Sequence, residues 1–240
     1  MSKYGQFCPV ARSLDILGDR WTLLIIREML IGMTHFNDIE RGLPGISRAL
    51  LAQRLRQLQK AGLVQKRTND AARQSTEYAL TEAGRELQSV IDALMMWGEA
   101  WAFSEPTPEE LDPVLLMWRL RNDVQRSKLP PDRVAIQYHF RVPRKTGNFW
   151  LILTTADVTL CLTDPGYTID VLVTAELAVF YKLYWGRITY DQAIRDFGVR
   201  VEGTPQLVRA FPGWFAWQSA EGLRAAKAAR EQQLPAGGWA

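Results

Sequence analysis

Cysteine and histidine are the scarcest chemistry-bearing residues of this chain, two of each in 240 residues. Cys8 and Cys161 cannot build a disulfide framework. His35 and His139 lie far apart, and no group of Cys, His and carboxylate residues has metal-ligand spacing. A glycine-rich phosphate loop is also missing. Asp157, Asp164 and Asp170 stand near turns or strand starts, where Asp serves local hydrogen bonding, and Asp191 and Asp196 share one helical stretch. With no catalytic constellation, no metal site and no cofactor motif, the chain is not expected to be an enzyme. No run of eighteen apolar residues offers a transmembrane helix. The opening MSKYGQFCPVARSLD lacks the apolar core of a signal peptide, so a cytoplasmic protein with no membrane partner is expected.

What is present is enough apolar material for real cores: 47% hydrophobic residues, nine of them Trp. The length suits one large or two modest domains. The net charge of +3 argues for nothing by itself, but its distribution does. From Arg41 to Arg73 there are eight Lys or Arg and one acid, Asp70, a balance of +7. Residues 1–40 carry −1 and residues 74–103 carry −4. A basic stripe confined to one segment is the footprint expected of phosphate contacts.

That segment is also the most patterned. In GISRALLAQRLRQLQKAGLV, Leu51, Leu55 and Leu58 make one buried stripe on a helix, continued by Leu63. Ser47 stands where an N-cap belongs and Gly62 where a helix stops on a left-handed residue. Subtracting the stripe leaves Arg48, Ala49, Ala52, Gln53 and Arg56 on the solvated face. Two short strands follow, Leu63 to Thr68 and Ser75 to Leu80, around a polar tip with Arg73 and Gln74 and with Arg67 beside it. A helix followed by a basic hairpin is the layout of a winged helix-turn-helix. Ser47, Arg48, Gln53 and Arg56 are expected in the major groove, and Arg67, Arg73 and Gln74 at the backbone or minor groove. Arg54 has two readings, a phosphate contact or a partner for an acid such as Asp38 or Glu40 that orients the helix.

Upstream, Pro9 begins a helix through Leu14 and Leu17. A second runs from Leu23 to Leu30, and Thr34 caps a third with Phe36, Ile39 and Leu43 inward. The segments CPVARSLDILGDRWTLLIIREML, HFNDIERGLPGISRALLAQRLRQLQKAGLV and YALTEAGREL, with Trp97 beyond, resemble the HxlR-type winged-helix regulators over residues 8 to about 102. The resemblance implies a bacterial transcription factor that binds a near-palindromic operator on double-stranded DNA as a homodimer. It implies an interface built from Tyr4–Leu17 and Thr81–Phe103. Leu87, Val90, Ile91, Leu94 and Trp97 form one stripe there, which could be core, interface or both. In some relatives a Cys at the position of Cys8 senses oxidants or electrophiles. A helix N-terminus and Arg12 would favour its thiolate, while the plain alternative is a half-buried cap residue.

Residues 104–112 read as a linker with three prolines nearby. Asp112-Pro113 opens a helix to about Arg126. Val134, Ile136, Tyr138 and Phe140 then alternate as in a strand, with further strands at Asn148–Thr154, Val158–Leu162 and Ile169–Val173. Helices follow, opened by Thr174, Thr189 and Thr204-Pro205, with VRVEG as a fifth strand between the last two. The pattern predicts an α+β domain, an antiparallel sheet with helices on one side. This order, with WGRIT and AIRDFGVRVEGTP, resembles the sterol-carrier-protein type-2-like fold over about 130–217. The resemblance implies a tunnel for a small apolar, lipid-like ligand, with Phe180, Tyr184, Trp185, Phe197, Phe211, Trp214, Phe215 and Trp217 as wall candidates. Read as packing, the same rings are a solid core. The expected organisation is a DNA-binding and dimerisation domain at 1–103, a linker at 104–112, a ligand or partner domain at 113–225 and a flexible tail at 226–240. The expected function is a DNA-binding regulator responsive to a small apolar ligand. The alternative is a carrier protein whose winged helix serves only dimerisation.

Overall fold

Pro9 starts the first helix, α1 (Pro9–Leu17), at a position where its missing N–H costs nothing. The computed structural model describes residues 4–69, 75–142 and 145–217. They belong to two compact units, Met1–Phe103 and Ser104–Ala240. Arg73, Gln74 and the tail at 226–240 lie outside the described residues.

In the first unit α1 is followed by α2 (Thr22–Leu30), α3 (Phe36–Arg41), α4 (Arg48–Lys60), an antiparallel hairpin of β1 (Val64–Asn69) and β2 (Ser75–Leu80), α5 (Glu82–Glu86) and α6 (Gln88–Trp101). Its core is built where the apolar spacing asked for it. Ile25, Ile26 and Met29 of α2 meet Ile39 of α3, Leu51, Leu55 and Leu58 of α4, and Val64 and Leu80 of the hairpin. Ser47 caps α4, its hydroxyl accepting the Leu50 N–H at 3.2 Å. Gly62 follows the helix at φ +73°, a conformation open to glycine at little cost. Thr34 was the expected cap of α3, but the N-cap is His35, without a side-chain bond. Thr34 instead gives its carbonyl to the Tyr78 N–H at 2.7 Å, and His35 bridges Glu77, so this strip pairs along the side of β2 away from β1.

α6 buries no residue. Val90, Leu94, Met95, Trp97 and Trp101 are all exposed. The stripe expected to be core, interface or both is divided: Leu87 packs against the core of this unit and Ile91 is half-buried, while Val90, Leu94 and Trp97 stay on the outside.

In the second unit, α7 (Pro113–Asn122) leads into β3 (Val134–Val142), β4 (Lys145–Leu153), β5 (Val158–Cys161), β6 (Val171–Glu176), α8 (Leu177–Tyr184), α9 (Tyr190–Arg195), β7 (Arg200–Gly203) and α10 (Pro205–Ala210). Asp112 caps α7, accepting the Val114 and Leu115 N–H groups at 2.8 and 3.1 Å. The expected linker at 104–112 holds a short 3-10 turn, Pro108–Glu110, closed by a capping box with Thr107.

The sheet order is β5-β4-β3-β6-β7. The expected all-antiparallel sheet is corrected here: β3 and β6 are parallel, so the sheet is mixed. The cause is the connection 162–170, which passes from the edge strand β5 beyond β4 and β3. Nine residues can span about 30 Å, whereas three strand spacings are only about 14 Å. β6 also runs through Glu176, paired with Arg141 of β3. Thr174, expected to open a helix, is therefore a buried strand residue, and α8 starts at Leu177. The α9 start is as read: Thr189 and Gln192 form a reciprocal capping box.

Helices cover one face of the sheet. Ile136, Tyr138, Phe140, Leu151 and Val173 pack with Leu116, Phe180, Phe211 and Trp214 in one core. Residues of opposite parity, among them Gln137, His139 and Arg141, belong to the other face.

Candidate nucleic-acid interface

With Leu51, Leu55 and Leu58 locked in the core, 3.6-residue periodicity turns another row of α4 outward. That row is Ala49, Gln53, Arg56 and Lys60, all exposed. Gln53 and Arg56 were expected there. Lys60 completes the row one turn on, as its i+4 spacing from Arg56 allows. Ser47 and Arg48 are exposed at the helix start.

The eight cations of the basic segment are not equally available. Arg48 pairs with Glu40, donates to Asn37 Oδ1 at 3.1 Å and lies 4.8 Å over the Phe36 ring. Its guanidinium is thus held against α3 while still exposed. Arg41 pairs with Asp38 at 3.3 Å. Arg54 is bound most firmly. It donates to Asp19 Oδ2 at 2.5 Å, Gln57 Oε1 at 2.7 Å and the Arg20 carbonyl at 3.2 Å, with its side chain only 14% exposed.

Of the two readings of Arg54, this is the orienting one, but the acid is Asp19 rather than Asp38 or Glu40. Sequence reasoning looked for a partner close in the chain and missed one thirty-five residues away. The turn that presents Asp19 is unusual. Trp21 has φ +78°, a left-handed conformation costly for a bulky residue, at roughly 1–3 kcal/mol. Its carbonyl accepts the Ile25 N–H at 2.8 Å, and the Arg20 guanidinium lies 5.3 Å over its ring. A second close contact lies at Gly42, the C-cap of α3. The buried Glu28 carboxylate fills the space beside Gly42, where a β-carbon would collide with it.

The hairpin adds charge at its exposed edge. Lys66 and Arg67 are both exposed, and Arg67 stands opposite Glu77 in the ladder. The Gln65 amide, turned to face it, accepts from the Arg67 guanidinium at 2.6 Å. The described cations that remain for an anionic partner are thus Arg56 and Lys60 on α4 with Lys66 and Arg67 on β1, and Arg48 once it leaves Glu40.

Cys8 is the N-cap of α1, half-buried, with its carbonyl accepting the Arg12 N–H at 3.0 Å. Its side chain makes no capping bond. Cys161 is a free cysteine on β5.

Most of the aromatic candidates of the second unit pack against one another. Phe180 meets Phe140 at 5.2 Å and Tyr138 at 5.8 Å between ring centroids, and Phe211 meets Phe215 at 5.3 Å and Trp214 at 6.1 Å. Tyr184 is tied through its hydroxyl to Asp123 Oδ2 at 2.6 Å and stacks edge-on with Trp185. Burial raises the Asp123 carboxyl above its ordinary range despite that bond. Phe197, expected on an interior wall, is 41% exposed, because it lies past the end of α9. The Tyr138 hydroxyl is fully buried with no hydrogen-bond partner among the described residues, and burial pushes its pKa well up.

A helix-turn-helix whose second helix offers a polar, basic row beside a basic hairpin defines the first unit as a winged helix of the kind found in transcriptional regulators. Residues 16–106 match the HxlR-like helix-turn-helix family. An uncharacterized HTH-type transcriptional regulator of Mycobacterium tuberculosis is 43% identical over 100 residues, 42% of this chain and 61% of that protein. One from Synechocystis is 34% identical over 101 residues, 42% of this chain and 75% of that protein. Bacillus subtilis YvaP is 32% identical over 98 residues, 40% of this chain and 91% of that protein. Among solved structures, the redox regulator HypR in its reduced form is 32% identical, covers 39% of this chain and 92% of that one, and has a TM-score of 0.37. The chain belongs to the HxlR-like helix-turn-helix family. It spans 61% of the length of the mycobacterial relative, and the shared part lies in about two fifths of this chain.

Proposed function

We propose that this chain is a sequence-specific DNA-binding transcriptional regulator that acts as a homodimer on a near-palindromic operator. The observation that carries the reading is the outward row Ala49, Gln53, Arg56 and Lys60 on a helix whose other face is fixed in the core. Small residues between Arg and Gln let such a helix approach base edges, to which Gln and Arg can bond bidentately. Lys66, Arg67 and Arg73 supply phosphate contacts from the hairpin. A pure dimerisation module has no use for that basic row, which argues against a carrier protein that merely borrows the fold.

The second copy is proposed to cover α1 and α6. Trp97 is 61% exposed, Trp101 79% and Phe7 fully exposed, large apolar side chains of the kind that mark a partner surface. The second unit is proposed as the input. The support for an apolar ligand there is the sterol-carrier-like order of its elements, and the packed rings mean that such a ligand must displace Phe180 or Phe211 to enter. Coupling to DNA of about 1–3 kcal/mol is the usual scale for such regulation.

The test is fluorescence anisotropy with the DNA upstream of the protein's own gene and with a genomic pool. Arg56→Ala should cost about 1–3 kcal/mol of specific binding. Arg67→Ala and Arg73→Ala should each flatten the salt slope by about one. Absence of any salt-sensitive DNA affinity would overturn the reading. Native mass spectrometry for a co-purifying apolar molecule, and a truncation ending at Ser104, test the input role. Equal operator affinity for truncated and full-length protein, with no ligand-induced rise in melting temperature, would remove it.

A further inference from the structure

The face of the second unit's sheet that carries no helices holds a register row of unusual composition. Asn148 of β4 pairs with His139 of β3, His139 with Thr174 of β6, and Thr174 with Arg200 of β7. Four polar side chains thus cross four adjacent strands in one line, spanning about 14 Å. Gln137 and Arg141 lie two residues before and after His139 on the same face. Together with Leu172 these residues line an open depression of about 370 Å³. That is the lower end of the ~300–1,000 Å³ of sites that hold small organic molecules.

The lining is built of donors, and its charges are unequal. Arg141 is neutralised by Glu176, its Nε donating to Oε1 at 2.8 Å. Arg200 has no ion-pair partner among the described residues and stands exposed at the end of the row. His139 is oriented by Asn148, with Nδ1 and Oδ1 2.7 Å apart. As Oδ1 accepts, Nδ1 carries the proton, and in the neutral ring Nε2 is left as an acceptor. The depression therefore offers one free guanidinium, a hydroxyl at Thr174 between it and the imidazole, an acceptor at His139, the Gln137 amide, and an apolar edge at Leu172.

We propose that this depression binds a small hydroxy- or amino-carboxylic acid. Its carboxylate sits on Arg200 and Thr174, its hydroxyl or amine donates to His139 Nε2, and its hydrocarbon part lies on Leu172. A guanidinium on a solvated sheet edge needs no ligand, but a free guanidinium, an oriented imidazole and a concavity of metabolite size together match this chemistry. The site is separate from the aromatic core on the opposite face and does not depend on the DNA-binding reading.

The two histidines make the test direct, since His35 lies in the other unit and serves as an internal control. Full-length protein labelled with ¹³C-histidine is titrated with 3-phenyllactate and 4-hydroxybenzoate, and in parallel with their uncharged amides, up to about 10 mM, an affinity floor of roughly 3 kcal/mol. The expected result is a saturable shift of the His139 ring signals with at least one acid, none at His35, and none with the amides. Arg200→Gln should weaken that binding about tenfold or more, the scale of one charge-assisted bond, and Arg200 is exposed enough that the fold survives. No saturable shift with either acid, equal shifts with acid and amide, or unchanged affinity in Arg200→Gln would each overturn the proposal.

Discussion

Replacing Arg54 by Ala separates two mechanisms that a basic residue on a recognition helix can serve. Arg54 donates to Asp19, Gln57 and the Arg20 carbonyl with little of its side chain exposed. Hydrogen bonds to charged groups contribute about 1.5–3 kcal/mol when well placed. The Asp19 side chain is 42% exposed, so solvent screens part of that gain. A total near 2 kcal/mol is expected, which lowers the melting temperature of a domain of this size by roughly 8–16 °C. Asp19→Ala should reproduce about half of the loss. The double mutant should fall short of additivity by about 1 kcal/mol. The assay is thermal denaturation followed by circular dichroism, with operator anisotropy across a salt series on the same proteins. As an orienting residue, Arg54 should leave the salt slope of DNA binding unchanged. An Arg54→Ala protein that melts like the parent but loses about 0.9 from the salt slope would refute the reasoning and return Arg54 to the phosphate.

Three further outcomes are expected. Trp97→Asp, or Leu94→Asp on the same exposed row of α6, should convert a dimer into a folded monomer by light scattering, and a variant that stays dimeric would place the interface elsewhere. If Cys8 senses oxidants or electrophiles, Cys8→Ser should abolish any loss of operator binding after mild peroxide or aldehyde while Cys161→Ser keeps it; equal responses of parent and Cys8→Ser would leave Cys8 a cap residue. Tyr138→Phe should raise stability in urea by about 1 kcal/mol, because it removes a buried hydroxyl with no partner among the described residues. A loss of stability there would show that the hydroxyl has a bonded role.

Local patterns carried much of this protein in plain view. The stripe Leu51, Leu55, Leu58, the Ser47 cap and the stop at Gly62 are properties of neighbours along the chain. Their 3.6-residue spacing sufficed to locate α4 and to say that Gln53 and Arg56 face away from the core. The same holds for the Asp112 and Thr189 caps and for the alternation of β3. What one chain position does to another far away was not legible. The charge pattern counted Arg48, Arg54 and Arg56 alike, but tertiary structure ties Arg48 to Glu40 and Arg54 to Asp19 and leaves Arg56 outward. The aromatic residues near the end of the chain suggested either wall or core, and only the ring contacts distinguish Phe211, packed inside, from Phe197, left outside. Strand direction was hidden for the same reason. A nine-residue connection is long enough to turn a hairpin or to cross the sheet, and nothing in its composition decides which. Pairing β6 beside β3 made the crossing, and it brought Asn148, His139, Thr174 and Arg200, scattered between positions 139 and 200, into one row.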